Sequence, residues 1–98
     1  MAKGYWIAHI DVTDAQRYPA YLAAAQPAYE KYGANFLVRG GEFLAPEGKS
    51  RSRHVVIEFP TYEAALACYH SPEYEKARAI RQQNSDGEVL VISGPEEQ

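Results

Sequence analysis

Apolar and polar residues alternate along residues 4–12, GYWIAHIDV. Every second residue is apolar, a set made up of Trp6, Ala8, Ile10 and Val12. The residues between them are mixed: Tyr5, Ile7, His9 and Asp11. A period of two is typical of a strand, because successive side chains point to opposite faces of the sheet. We therefore predict a strand with one face toward a core and one mixed face.

The pattern then changes to helical spacing, with apolar residues three and four positions apart between residues 18 and 32. Thr13 or Asp14 is the expected N-terminal cap of this helix and Gly33 its C-terminal cap. Pro27 lacks the N–H that a helix interior requires, so we expect a kink or a restart there.

The following segments alternate again. A second strand is predicted over residues 35–39, continuing in distorted form to 44, and a third over 53–59, with a polar loop at 45–52 between them. Thr61 is the expected cap of the next helix, and Ser71-Pro72-Glu73 is a second helix start. The last strand is predicted over residues 88–92.

This order, β-α-β-β-α-β, is that of the α+β ferredoxin-like fold, with an antiparallel sheet in the order 4-1-3-2 and both helices on one face. We expect one domain over residues 1–94 and a polar tail over 95–98. The face without helices should carry Tyr5, Ile7, Leu37 and Val56. Because that is too much apolar surface to leave in water, we expect a second copy of the chain to cover it, forming a homodimer.

Composition excludes several classes of protein. The net charge is −3 and the basic residues are scattered, which argues against nucleic acid or an anionic membrane as a partner. No apolar run is long enough to span a bilayer, and no secretory signal is present, so we expect a cytoplasmic protein. Cys68, the single cysteine, is interpreted as a buried helical thiol. The three histidines lack zinc-site spacing and no phosphate loop is present, so neither a metal nor a cofactor is expected.

Three blocks resemble a known family: GYWIAHIDVTD, FLVRGGE, and VVIEFPTYEAALACYHSPEYEKARAIR. Together they are similar to the domain-of-unknown-function family 1330 of the dimeric α/β-barrel superfamily. The resemblance implies ferredoxin-like protomers that pair sheet to sheet. The superfamily also includes cofactor-free monooxygenases, muconolactone isomerase-like enzymes, haem-binding proteins and ligand-binding modules. It implies no particular reaction, because family 1330 has none agreed.

Polar residues are expected to meet at one end of the face without helices. His9 and Asp11 lie near the end of the first strand, Arg39 near the end of the second, and His54 at the start of the third. A base with a pKa moved by burial, next to an arginine, suits proton transfer beside a carbonyl or enolate. We predict His9, Asp11 and Arg39 as catalytic residues. Each also has a structural alternative, such as an ion pair, a helix cap or a buried neutral histidine.

Other residues are predicted to contact a ligand, and we list them as one set: Tyr5, Ile7, Gly40, Gly41, Glu42, His54, Glu58, Tyr69, Ser71 and Tyr74. Gly40 and Gly41 are expected to mark a bulge or bend that turns Arg39 inward. The alternatives are an ion pair for Glu58 and core packing for the tyrosines. The leading hypothesis is a cofactor-independent enzyme of isomerase or monooxygenase type, acting on a small anionic or carbonyl-bearing molecule. The alternative is a non-catalytic ligand-binding or structural dimer.

Overall fold

The computed structural model describes residues 2–96, so the last two residues of the predicted tail lie outside the described part. Four strands and three helices follow one another in the chain. They are β1 (Gly4–Val12), α1 (Tyr18–Tyr32), β2 (Asn35–Arg39), β3 (Arg53–Phe59), α2 (Tyr62–Tyr69), α3 (Pro72–Asn84) and β4 (Ser85–Ser93). None of these helices is both long and apolar enough to cross a bilayer.

The sheet has the order β2-β3-β1-β4, and each neighbouring pair is antiparallel. This confirms the predicted ferredoxin-like fold and its strand order. The alternation in β1 also orients the strand as expected. Trp6 and Ile10 are 2% and 1% exposed beneath the helices, whereas His9, between them, is exposed on the other face. We call that second face the outer face.

The core lies between the helices and the inner face of the sheet. Trp6 is at its centre, in edge-to-face contact with Tyr29 of α1 and Tyr74 of α3, and its indole N–H donates to the carbonyl of Ala65 in α2. One residue of β1 therefore contacts all three helices. Edge-to-face ring pairs contribute about 0.5–1.5 kcal/mol each beyond the area they bury.

Three local predictions need correction. Helix α1 runs through Pro27 without a restart. Pro27 and Ala23 both face solvent, so the carbonyl that lacks its helical partner is accessible to water. Asp14 does not cap the first helical residue directly: its carboxylate accepts from the N–H groups of Gln16 and Arg17 in the turn before α1. Strand β4 begins at Ser85, three residues earlier than predicted, because β1 pairs with it as far as Val12.

The second half of the chain forms two helices, and both predicted start signals are confirmed. The Thr61 hydroxyl accepts from the N–H of Ala64, and the Ser71 hydroxyl accepts from the N–H of Tyr74. Each bond satisfies one of the N–H groups that a helix start leaves without a partner. Ser71 is therefore a buried helix cap in this structure.

Candidate functional site

Two histidines meet on the outer face, as the topology predicts. His9 of β1 lies opposite His54 of β3, and their Nδ1 atoms are 2.7 Å apart. The ring of Phe43, in the loop before β3, packs edge-on against His54 with 4.4 Å between the centroids. A contact this short between two imidazole nitrogens requires that one of them carries a proton and the other does not.

The neighbouring hydrogen bonds assign that proton. The Ser50 hydroxyl donates to the carbonyl of Arg51 at 2.7 Å, so its oxygen is left to accept from Nε2 of His54 at 3.1 Å. Neutral His54 therefore has its proton on Nε2 and a free lone pair on Nδ1. His9 must donate from its own Nδ1, which leaves Nε2 of His9 without a proton. In this arrangement the outer face presents one imidazole nitrogen without a proton, Nε2 of His9.

Beside the histidines, Asp11 is held by two donors. The backbone N–H of Ser52 donates to its carboxylate at 2.8 Å, and Arg51 donates to it at 3.1 Å. These bonds keep the pKa of Asp11 below its usual value, with the Ser52 N–H as the largest cause. Arg51 also donates to Glu88 at 2.6 Å, so one arginine joins the two carboxylates. The sequence analysis had not identified Arg51 or Glu88 as part of this cluster.

The other end of the outer face carries a second polar group. Glu58 accepts from the Tyr5 hydroxyl at 3.3 Å and forms an ion pair with Lys3 at 3.6 Å. Ile7 lies on the same face between the two polar ends, opposite Val56. These contacts satisfy the carboxylate of Glu58, in agreement with the ion pair that the sequence analysis weighed for it.

Arg39 does not join the histidine cluster, and here the predicted placement is wrong. Phe36 pairs with Ile57 and Val38 pairs with Val56, so Leu37 is an extra residue, a bulge. A bulge shifts the alternation by one residue. Arg39 therefore lies opposite Val55 on the inner face, with its guanidinium carbon 3.6 Å from the centre of the Phe36 ring.

Strand β2 ends at Arg39, and the two glycines after it adopt backbone angles that favour glycine, with φ of 65° at Gly40 and 127° at Gly41. The predicted bend is therefore confirmed, although the bulge lies upstream of it. The N–H of Gly40 is already bonded to the carbonyl of His54. A side chain at Gly40 would also collide with the guanidinium of Arg53, 2.7 Å from the position of a Cβ. Glu42 is exposed in the loop beyond.

A partly open cavity of about 160 Å³ lies on the inner face, between the sheet and helices α1 and α3. Its walls are aromatic and aliphatic: Trp6, Ile10, Tyr18, Phe36, Val55, Ile57 and Val89 among others. Tyr74, one of the residues predicted to bind a ligand, lines it, whereas Tyr69 lines a neighbouring cleft beside α3. The structure therefore divides the predicted site residues between the two faces of the sheet.

Three arginines line this cavity: Arg39, Arg53 and Arg81. None of them forms an ion pair with a carboxylate in the described chain. Arg81 is only 7% exposed, and the Nε atoms of both Arg53 and Arg81 are buried without an acceptor. Buried arginines are normally paired, so these free donors indicate a place for an anion.

The burial of two of these arginines could have been predicted from the strand and helix periodicity of the sequence. Arg53 is in phase with Val55, Ile57 and Phe59, which places it on the inner face of β3. Arg81 is seven residues from Tyr74 and four from Ala77, so it shares their buried helix face. Arg78, three residues before Arg81, is partly exposed, with its guanidinium 5.2 Å from the centre of the Tyr69 ring.

Three tyrosine hydroxyls form a chain in the wall of the cavity. Tyr21 is in the middle, 2.9 Å from the hydroxyl of Tyr29 and 2.8 Å from that of Tyr74. Burial is the main reason that the pKa of each of the three phenols is raised, so they remain protonated at neutral pH. Arg81 lies next to the Tyr74 hydroxyl and opposes part of this rise. The cavity thus combines an apolar body with cationic and neutral hydrogen-bond donors.

The described residues thus form a ferredoxin-like domain with an apolar cavity between its sheet and its helices. Residues 3–95 match the model of the family described as domain of unknown function DUF1330. The chain therefore belongs to the DUF1330 family, as the three sequence blocks indicated. No curated protein sequence matches the chain.

Solved structures share the fold at low sequence identity. A protein of unknown function from Rhodopseudomonas palustris is 16% identical with a TM-score of 0.75, covering 98% of this chain and 85% of its own. SnoaB, a cofactor-independent oxygenase from Streptomyces nogalater, is 11% identical with a TM-score of 0.68, covering 99% and 97%. A dimeric ferredoxin-like protein of unknown function from Bacteroides fragilis is 13% identical with a TM-score of 0.55, covering 94% and 96%.

Proposed function

We propose that the protein binds a small organic anion in the inner cavity, with Arg39, Arg53 and Arg81 as the cationic donors. The observation that carries this proposal is the pair of buried Nε–H groups, on Arg53 and Arg81, that have no acceptor in the described chain. A buried donor without a partner costs about 1–3 kcal/mol. A carboxylate or enolate in the cavity removes that cost and matches the planar guanidinium geometry.

The test follows the two Nε–H groups directly. Acetate, benzoate and cyclohexanecarboxylate are titrated into ¹⁵N-labelled protein while the arginine Nε–H resonances are recorded. We expect at least one of these anions to shift the signals of Arg53 and Arg81 together, with saturation. The signal of Arg17, which is exposed in the turn before α1 and paired with Asp14, serves as the internal control. If no anion moves the two buried signals, the proposal is wrong.

A second candidate function is cofactor-independent catalysis on the bound anion. It is supported by the full-length fold similarity to SnoaB, whose described activity is oxygenation without a cofactor. Donors that do not move are suited to stabilising an enolate, because they face the developing charge without reorganisation. Among the described residues the cavity lining contains neither a carboxylate nor a histidine. Catalysis there would therefore suit substrates acidic enough to ionise near neutral pH.

The catalytic roles of His9, Asp11 and Arg39 stay predictions. Of the three, Arg39 reaches the inner cavity, whereas His9 and Asp11 lie on the outer face. Replacing His9 by Ala distinguishes chemistry in the inner cavity from chemistry on the outer face. If the inner cavity performs the chemistry, His9→Ala leaves the turnover of a bound ligand unchanged, whereas Arg81→Met abolishes it. The opposite result would place the chemistry on the outer face.

We also propose that a second copy of the chain covers the outer face. Val38, Leu90 and Ile92 lie there with 44%, 53% and 43% of their surfaces exposed. The Bacteroides fragilis protein of similar fold is described as dimeric, which supports pairing of two copies. We expect Leu90→Lys to reduce the mass measured by analytical ultracentrifugation from twice 11.0 kDa to once that value. Ala79→Lys, on the exposed side of α3, adds the same charge and should leave the dimer intact.

A further inference from the structure

The shape and donors of the inner cavity point to a more specific occupant than an anion. Three aromatic rings, those of Trp6, Tyr29 and Phe36, line the space. Tyr29 contacts both of the others edge to face, at 68° to Trp6 and at 88° to Phe36, so the lining rings differ in orientation. A flat conjugated molecule fits such walls, because it can place its edge against one ring and its face against another.

The volume limits the size of this molecule. The cavity measures about 160 Å³. An enclosed apolar cavity of about 150 Å³ accepts one benzene ring. The space therefore suits a single six-membered ring and is too small for a fused system of three or four rings, unless the helices move apart.

The hydroxyl chain adds a second requirement. Tyr21, Tyr29 and Tyr74 have one O–H hydrogen each, and their two mutual hydrogen bonds use two of these hydrogens. One O–H is left over, whichever way the chain is oriented. Because a buried donor needs an acceptor, the bound molecule is expected to supply an oxygen to this hydroxyl as well as an anionic group to the arginines.

We infer that the preferred occupant is a planar single-ring carboxylate with a second oxygen substituent on the ring, of the hydroxybenzoate type. This inference rests on the proposed function, since it specifies the anion that the arginines bind. The ring fills the aromatic space, the carboxylate accepts from Arg53 or Arg81, and the second oxygen accepts from the tyrosine chain.

The experiment compares dissociation constants by isothermal titration calorimetry. The probes are 4-hydroxybenzoate and 3-hydroxybenzoate, together with benzoate, cyclohexanecarboxylate, benzamide and anthracene-2-carboxylate. We expect one of the two hydroxybenzoates to bind most tightly. Benzamide should bind at least about tenfold more weakly than benzoate, because it lacks the charge that strengthens the arginine hydrogen bonds. Cyclohexanecarboxylate, which is not flat, and the three-ring acid should bind more weakly than benzoate.

Two variants test whether the tyrosine hydroxyls contact the second oxygen of the bound molecule. Tyr29→Phe keeps the ring and removes the hydroxyl at one end of the chain. One O–H is still left over, but it then lies on Tyr21 or Tyr74, so its contact with the second oxygen is displaced and the preference for the better hydroxybenzoate over benzoate should fall by several fold. Tyr74→Phe, which removes the other end of the chain, serves as the second variant if Tyr29→Phe folds poorly. Tyr32→Phe, on the same helix but outside the cavity, is the matched control and should keep the preference. Circular dichroism confirms that each variant is folded.

The outcomes separate this inference from the proposed function. If cyclohexanecarboxylate or the three-ring acid binds as tightly as the hydroxybenzoates, the inferred class is wrong, while anion binding in the cavity stands. If benzoate binds but neither hydroxybenzoate is preferred, the second oxygen is not recognised and the inference also fails. If no acid binds and the Arg53 and Arg81 signals do not respond, both the inference and the proposed function fail.

Discussion

Arg81 is the most informative residue to replace, because its proposed role in binding conflicts with stability. It is 7% exposed, its Nε–H has no acceptor, and no carboxylate of the described chain pairs with it. Methionine has a similar length and keeps the contacts of the aliphatic stem. Arg81→Met therefore removes a buried charge and an unsatisfied donor without opening a large cavity.

Two opposing contributions determine how Arg81→Met changes the free energy of unfolding. Removing the unsatisfied Nε–H recovers about 1–3 kcal/mol, whereas losing the contact with the Tyr74 hydroxyl costs about 0.5–1.5 kcal/mol. The net result is a variant more stable by about 1 kcal/mol, within the range seen when buried charges are replaced by apolar residues. For a domain of this size, a gain of 1 kcal/mol raises Tm by about 4–8 °C.

Urea denaturation and thermal melting of the ligand-free protein measure this change, and calorimetry measures the loss of benzoate binding. Arg78→Met is the matched control on the same helix. Arg78 donates to the carbonyl of Tyr69 and lies against its ring, so its loss should destabilise slightly and leave binding intact. A fall of 1 kcal/mol or more in the stability of Arg81→Met would refute the reasoning, since it would show that Arg81 holds the fold together.

Three further predictions concern protonation. Because the pKa of Asp11 is lowered in the folded state, its stabilising effect is full above the unfolded pKa of about 4 and is lost as pH falls through the folded value. Asp11→Asn should therefore lower Tm at pH 7, with a difference from the wild type that disappears in acid; a difference that persists at pH 2 would contradict this. Burial raises the pKa of the Cys68 thiol to about 12, so a disulfide reagent at pH 8 should label it slowly in the native protein and rapidly in guanidinium. Rapid labelling of the native protein would show that α2 opens readily. At pH 9, ¹⁵N spectra should show His9 protonated on Nδ1 and His54 on Nε2, and Ser50→Ala should weaken this preference; the reverse assignment would overturn the hydrogen-bond argument.

Much of the fold could be predicted because its signals are local and regular. The alternation in β1 separates Trp6 from His9, and the cap residues Thr61 and Ser71 each precede a helix. The contact between His9 and His54 follows from two adjacent antiparallel strands. Each of these deductions needs only the element type and the strand order, which the β-α-β-β-α-β pattern supplies.

The position of Arg39 could not be predicted in the same way. Residues 36–39 are apolar or ambiguous, and nothing in FLVR indicates which residue is the extra one. Gly40 and Gly41 predicted a bulge or bend at their own position. The bulge that decides the orientation of Arg39 is at Leu37, three residues before Gly40. Arg51 was missed for a different reason: it lies in an irregular loop, so its contacts with Asp11 and Glu88 depend on the loop conformation and not on a periodic pattern.

Charged side chains have partners of opposite charge on the outer face of the sheet but not on the inner face. This difference supports placing the ligand on the inner face. On the outer face, the carboxylates Asp11, Glu58 and Glu88 are each paired with a cation, so those charges satisfy one another. On the inner face, arginines without carboxylates surround an apolar space. A chain selected for stability alone would gain by replacing Arg81 with an apolar residue, since a buried, unpaired charge is costly. Its presence beneath the helices is explained if the missing negative charge arrives with a ligand.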